Sequence, residues 1–408
     1  MKEVYYIGNI YADDFLIQLA KELDCFPPEL FLNPYNFLNN QLKSIQPYPL
    51  GDGLDILENL SEYLKDQSEK PLIKSLYTAF IHKYPNKEAT KGLNEKAINE
   101  IMWAYDQQAR YLKNQEKYEE SHKIYDQALS ILDRHFGCLH NYALNVSTYA
   151  HLQKNEVLFA KAFELHERAL RLQPKHTKNL MNYGNSILML ARITQDEELF
   201  NKSVKQFEKL LEIEHHNADC HYNYANSLFE LAQIKQDVTF ICKSIEQYEK
   251  ALKITPNNPN YLGNYSVVLA EQANKSQDVI LFEKAFEQYE KTLKIQPDDA
   301  DHLGNYGTAL VELAKIKKDE ALFEKAFKQY EKALKIEPYN TYNLACYYAI
   351  KKNLDHCKEN LLKAEKYKTL PNTRYLEEDN DLDNIRNEPW FIELLERLKE
   401  KEQNNKVA

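Results

Sequence analysis

A step of 41 residues governs this chain. Tyr142, Tyr183, Tyr224, Tyr265 and Tyr306 follow one another at that step, each preceded by an asparagine: Asn141, Asn182, Asn223, Asn264 and Asn305. A second ladder at the same step is Asn155, Asp196, Asp237, Asp278 and Asp319. A third runs through Pro174, Pro256, Pro297 and Pro338, with His215 where one proline would fall. Such self-similarity constrains the fold more than any single motif, because each unit must be a small element that buries its apolar face only against its neighbours. From Met102 the chain tiles into units 102–135, 136–176, 177–217, 218–258, 259–299 and 300–340, the first of 34 residues and the others of 41.

Each long unit reads as two helices. In the fifth, NYGTALVELAKI from Asn305 has helical spacing, Asp319 offers an N-cap to the next helix, and ALFEKAFKQYEKALKIEP follows and ends at Pro338. The second helix carries a small residue, an aromatic four later and a small residue three after that: Ser244, Tyr248, Ala251; Ala285, Tyr289, Thr292; Ala326, Tyr330, Ala333. Gly184, Ala225, Ser266 and Gly307 supply a second small position on the first helix. The 34-residue unit repeats the pattern with Ser121, Tyr125 and Ala128.

This pattern resembles the tetratricopeptide repeat (TPR), a family of 34-residue period whose small residues let paired helices approach closely. The 41-residue units then read as TPR units with seven residues added near the hairpin turn. HEAT and armadillo repeats, with periods of roughly 40–47, are the other hairpin families near this length. The resemblance implies an all-α fold, a right-handed α-solenoid of helical hairpins. Tyr248, Tyr289 and Tyr330 belong on this reading to the packing between hairpins.

The flanks depart from the repeat. Residues 1–92 form an irregular helical N-terminal region, with helical patterning at 12–23, 54–64 and 72–81 around a proline-rich stretch at 27–53. The array is expected over 93–340. Beyond it, 341–402 reads as a degenerate hairpin from Asn343 and Leu354 plus a C-terminal cap, in which Trp390, Phe391, Leu394 and Leu395 seal the last apolar face and the acidic run Glu377–Asp383 stays solvated. Residues 403–408 are expected to be a disordered tail.

The bulk numbers exclude several functions. A formal charge of −10 leaves no basic surface for a nucleic-acid backbone. No apolar segment reaches the roughly 18 residues of a membrane span, nothing resembles a signal peptide, and six scattered cysteines suit free thiols in a cytoplasmic, reducing setting. There is no phosphate-cradling glycine loop and no nucleophile or zinc-protease motif, so no enzyme activity and no cofactor is expected. His215, His216, Cys220 and His221, and two units earlier His135, Cys138 and His140, crowd equivalent stretches, but their spacing matches no common zinc site and a solvated loop is the simpler reading.

Function therefore rests on the resemblance. In TPR arrays the first helix lines a concave groove that holds an extended or helical segment of another protein, and positions 2, 6, 9 and 13 of each unit face the ligand. Here these include Asn141, Asn182, Asn185, Asn223, Asn226, Asn264 and Asn305, with Glu230, Glu271 and Glu312 at position 13. Asparagines at position 6 offer paired donors and acceptors to a peptide backbone; the competing role is to bond the neighbouring helix. The glutamates would favour a Lys/Arg-bearing ligand. Chaperone-tail recognition is not expected, because Asp106 stands where the carboxylate-clamping TPR domains place a lysine, and Arg110 and Asn182 depart from that pattern too. The reading is a non-enzymatic adaptor or scaffold. The alternative is a regulatory scaffold whose groove is filled in cis by the N-terminal region. Stacking of an uncapped end on a second copy leaves homo-oligomerisation open.

Overall fold

The computed structural model describes residue 81 and residues 84–407. The expected N-terminal elements at 12–23, 27–53 and 54–64 lie outside the described residues; of 72–81, Ile81 is described and is helical and buried. Every regular element among the described residues is a helix. Contacts divide the chain into two compact units, one ending at His215 and one beginning at His216. The division falls where the proline ladder is broken.

The first unit contains α1 (Glu95–Asn114), α2 (Tyr118–Ile131), α3 (Phe136–Gln153), α4 (Glu156–Leu172), α5 (Thr177–Thr194) and α6 (Glu197–Leu211). The second contains α7 (Ala218–Lys235), α8 (Val238–Ile254), α9 (Pro259–Ser276), α10 (Val279–Ile295), α11 (Ala300–Lys317), α12 (Glu320–Ile336), α13 (Tyr342–Ile350) and α14 (Leu354–Lys366). It closes with α15 (Thr373–Glu378), the 3₁₀ helix η1 (Asn380–Ile385) and α16 (Pro389–Val407). Consecutive helices pair as hairpins. The added residues lengthen the hairpin at its turn: α8, α10 and α12 have 17 residues against 14 in α2.

Local chemistry sets the boundaries. Each member of the second ladder caps its helix: Asn155 accepts from Leu158 N, Asp196 from Glu198 N and Leu199 N, Asp237 from Thr239 N, Asp278 from Ile280 N and Asp319 from Ala321 N. These bonds satisfy free first-turn N–H groups, each contributing about 1 kcal/mol. Just before every cap the chain turns through the left-handed region, at Lys154, Gln195, Gln236, Gln277 and Lys318 (φ 49 to 56°). At Gln195, Gln236 and Gln277 the side-chain amide donates to the carbonyl three residues back, tying down a conformation that glycine would adopt more easily. In the repeat without the proline, α6 stops at Leu211 and Glu212 keeps helical dihedrals, whereas Gln173, Thr255, Gln296 and Glu337 leave the helical region (φ −134 to −119°, ψ 79 to 82°).

Small residues let the two helices of a hairpin touch. A Cβ on Gly184 would fall 2.6 Å from Phe207 Cε1, and one on Gly307 2.5 Å from Tyr330 Cε1. Ser121 Oγ donates to Ala109 O (2.7 Å) and Ser244 Oγ to Ala225 O (2.8 Å), so a buried hydroxyl joins the helices where the glycine is absent. Tyr248, Tyr289 and Tyr330 are buried, as expected of packing residues.

The tyrosine ladder staples successive hairpins. Tyr142, Tyr183, Tyr265 and Tyr306 donate to Asp126 (2.8 Å), Glu167 (2.5 Å), Glu249 (2.7 Å) and Glu290 (2.9 Å) on the preceding hairpin. A lysine from the tyrosine's own hairpin closes each set: Lys161, Lys202, Lys284 and Lys325 pair with the same carboxylates and lie 4.8–5.4 Å from the ring centroids. Cation–π attraction and a charge-assisted hydrogen bond thus converge on one tyrosine. Tyr265→Phe and Glu249→Gln are each expected to cost about 1 kcal/mol in urea unfolding. The double variant should cost clearly less than the sum, since either change breaks the same bond; full additivity would show that the contact contributes nothing.

Two expectations about the C-terminus need correction. The segment 403–408 was expected to be disordered, yet α16 runs on to Val407, with neither glycine nor proline to break it. The acidic run from Glu377 is not simply solvated. Asp379 accepts from Tyr342 OH (2.5 Å), Asp381 pairs with Lys315 (2.8 Å), and Leu382 next to Asp381 is fully buried. Phe391 and Leu394 are fully buried against Ala345, Ala349, Cys357 and Leu361, with Trp390 and Leu395 packed at their edge, so the expected seal is present.

Candidate functional site

The first helices of the hairpins carry every residue expected to face a ligand, and the two units are considered separately. In the first, Asn141 is half-buried and its Nδ2 donates to Asp106 Oδ1 (2.9 Å). Asp106 is buried, also accepts from Tyr125 OH (2.9 Å), and its carboxyl is raised above the usual carboxylate range by desolvation against these hydrogen bonds. The acid in the clamp-lysine position is therefore committed to packing. Asn182 is half-buried, with its carbonyl accepting from Ser186 Oγ (2.7 Å). Asn185 Oδ1 is buried without a hydrogen-bond partner.

In the second unit the asparagines divide. Asn226 is buried and accepts from Tyr248 OH. Asn264 Nδ2 reaches both Tyr222 OH (2.8 Å) and Asn226 Oδ1 (3.2 Å) on the preceding hairpin. Asn223 is half-buried and Asn305 exposed. The position-6 ladder thus splits between structural bonding, at Asn141 and Asn264, and availability, at Asn305.

The glutamates carry cations of their own. Glu271 pairs with Lys275 at 3.2 Å and Glu312 with Lys315 at 2.7 Å, each within its helix. Lys315 also binds Asp381 of η1 (2.8 Å), so the C-terminal segment reaches over the end of the glutamate row. Burial raises the Glu312 carboxyl against the pull of Lys315, with Asp381 adding to the rise. Burial also opposes the Lys315 ammonium, but Asp381 and Glu312 outweigh it and its pKa rises. Glu230 is half-buried. Sequence reading missed these lysines, although their i+3 and i+4 spacing was visible. No local signal pointed to Asp381.

The histidine–cysteine stretches are solvated loops only in part: His215 and His216 are exposed in the loop before α7, while the other members pack at helix starts. His135 Nδ1 accepts from Cys138 N as a helix cap, Cys138 is buried with its Sγ 3.5 Å from Met102 O, Cys220 is buried, and His221 Nδ1 lies 2.8 Å from Gln247 Oε1. Among the described residues no group of three or more His, Cys, Asp or Glu could hold a metal ion.

The helix-to-helix contact at the small positions, Gly184 on Phe207 and Gly307 on Tyr330 within one hairpin, is the approach the sequence pattern called for. The repeat is tetratricopeptide-like. A family model, the plant-specific mitochondrial import receptor subunit TOM20, matches residues 276–381, about a quarter of the chain. A search of curated proteins returned no match. Solved structures similar to the TPR-like array include a tetratricopeptide repeat protein from Parabacteroides merdae (16% identity, 68% of this chain and 98% of that one, TM-score 0.42). Two others are YrrB, described as a TPR protein with an unusual peptide-binding site (20% identity, 52% and 92%, TM-score 0.37), and the MamA protein (17%, 50% and 94%, TM-score 0.36). No helix among the described residues is long and apolar enough to cross a membrane.

Proposed function

We propose that the chain is a non-enzymatic protein-interaction scaffold, and that the first helices of its second unit hold an extended or helical segment of a partner protein. The observation that carries this is the exposure of Asn305. The staples take their carboxylates and lysines from the second helices and their tyrosines from the first, and Asn141, Asn226 and Asn264 bond within the array, whereas the Asn305 side chain on a first helix is exposed. YrrB is described as peptide-binding and the TOM20 model describes a receptor subunit; both are in keeping with a protein partner. Glu230 and Glu271 favour a partner segment carrying Lys or Arg. The free thiols of Cys138, Cys220, Cys242, Cys346 and Cys357 support a reducing, cytoplasmic setting.

The test is capture of partner proteins from a source lysate by the full chain, followed by affinity measurement with the identified partner. Asn223→Ala, Asn264→Ala and Asn305→Ala combined are expected to weaken binding at least about tenfold, or 1.4 kcal/mol, with the larger share from Asn305. Because Asn264 bonds Tyr222 and Asn226, that single change should also lower stability by about 1 kcal/mol. A triple variant that loses stability while binding unchanged would make the ladder structural alone.

A further inference from the structure

The second helices of the second unit end alike. Residues 250–254, 291–295, 332–336 and 363–367, which close α8, α10, α12 and α14, read KALKI, KTLKI, KALKI and KAEKY. Each run puts two lysines and one large apolar side chain at the same end of its hairpin. After α6 in the first unit, Glu212 takes the place of the second lysine, so the column is unbroken only in the second unit. Lys284 reaches Glu249 at 2.9 Å and Lys325 reaches Glu290 at 3.4 Å, which sets α8, α10 and α12 side by side. Tyr339, beyond α12, stacks on Tyr367 at 3.8 Å and brings α14 into the row. Ile254, Ile295, Ile336, Tyr339 and Tyr367 are 39–47% exposed. A lysine near a helix C-terminus complements the macrodipole, which explains the cations but not the apolar side chains left in water beside them.

The cations of this row are uncommitted. Among the described residues only Lys291 of these lysines forms an ion pair, with Glu287 at 2.7 Å. Glu365, the one acid inside the four runs, is held by Arg397 and Lys401. In the loops that follow, Asp299 caps α11 and Glu337 accepts from Asn340 Nδ2. A chain of formal charge −10 therefore carries a local basic strip with apolar residues along it.

We propose that this strip docks an extended acidic segment of a partner protein. It lies on the second helices and does not depend on the first-helix groove proposed above. Packed helices lie roughly 8–10 Å apart. A polyproline II segment turns once in three residues and rises roughly 3.1 Å per residue, so every third side chain returns to one side about 9 Å further on. A leucine-sized residue at every third position, with carboxylates between, lays one repeat on each hairpin. Charge complementarity sets the sign of the partner, and the stacked tyrosines are the anchor, of the residue type enriched at interface hot spots. Lys366 Nζ lies 5.3 Å from the Tyr367 ring, and neither tyrosine hydroxyl bonds another described residue. A bilayer fits less well. Surface binding there sinks an apolar face by roughly 5–10 Å, whereas more than half of each apolar side chain here is covered by the array.

The test titrates the full chain into a fluorescein-labelled peptide of about four Glu-Glu-Leu repeats, one for each hairpin, and reads anisotropy. Saturable binding that weakens as salt rises is expected, with Gln-Gln-Leu and Glu-Glu-Ser peptides of equal length at least about tenfold weaker. Lys294→Gln, Lys335→Gln and Lys366→Gln combined should weaken binding at least about tenfold by the same measure. The replaced side chains are exposed and outside every printed ion pair, so the urea midpoint should hold. Tyr339→Ala with Tyr367→Ala should weaken binding about fivefold or more, and Lys318→Gln, at the hairpin-turn end of α11, should leave it unchanged. No saturable binding, equal binding of the Gln-Gln-Leu peptide, or full binding by the lysine variant would overturn the strip. Phosphatidylserine vesicles that bind through the same lysines while the peptide does not would overturn it in favour of a membrane surface.

Discussion

Replacing Gly307 with leucine is expected to cost about 3 kcal/mol or more, the upper range for overpacking a filled core. A Cβ there already falls 2.5 Å from Cε1 and 2.8 Å from Cδ1 of Tyr330. That ring has little room to retreat: it is buried, its hydroxyl lies 3.2 Å from Thr308 Oγ1, and it packs edge-on against Tyr347. The equivalent residues Ala225 and Ser266 are buried opposite Tyr248 and Tyr289, so those hairpins are already spaced for a Cβ. Gly307→Ala should therefore cost about 1 kcal/mol or less, the hairpin opening partway while helix propensity improves. Urea unfolding of the three proteins decides it. If leucine were tolerated as well as alanine, close approach at this position would not be what holds the hairpin.

Acid should weaken the first unit by about 3 kcal/mol between pH 6.5 and 4, through His166. This side chain is fully buried, and its Nδ1 lies 2.7 Å from Asn179 Oδ1, which His140 Nδ1 also reaches at 3.0 Å. Desolvation by burial lowers its pKa from 6.5 to about 4; the Asn179 hydrogen bond opposes the shift and the charge of His140 adds to it. Above pH 6.5 the ring is neutral whether folded or unfolded, and the contribution is whole. As pH falls from there to 4, the unfolded chain takes up a proton that the folded chain refuses, and stability drains away. Burial likewise lowers His122, His135, His140 and His176, so the loss should begin just below the ordinary histidine pKa. Hydrogen exchange across α4 at pH 7 and pH 5 reads this locally. His166→Gln should flatten the pH response of α4; a response as steep as that of the unchanged chain would place the acid sensitivity elsewhere.

Much of the fold was legible because it is local. Asp237, Asp278 and Asp319 had to be caps, since a short acid between two helical patterns satisfies free N–H groups a few residues away and needs no partner elsewhere. The proline ladder likewise marked helix ends, and its break at His215 coincides with the shortened α6. The TPR-like geometry agrees with a period that could be counted. The misreadings arose where a familiar residue did an unfamiliar local task. His135 caps its helix through Nδ1, a role usually taken by Asn or Asp, and so a packed helix start looked like a loop. The tail from Gln403 was judged by its place at the end of the chain, although it holds no glycine or proline to end the helix.

By itself, then, the sequence determined the period, the hairpin, the close approach at Gly184 and Gly307, and the faces that are apolar, because these follow from spacing along one or two helices. Only the tertiary structure decided which polar groups are consumed. Glu249 and Lys284 sit on the same 41-residue step as the tyrosines, yet that they converge on Tyr265 depends on how one hairpin seats on the next. Asn264 spends its amide on Tyr222, while Asn305 keeps its own exposed. Lys315 meets an aspartate 66 residues away. Such pairings are set by distances between elements remote in the chain, and a hydrogen bond or ion pair forms or fails within about an ångström.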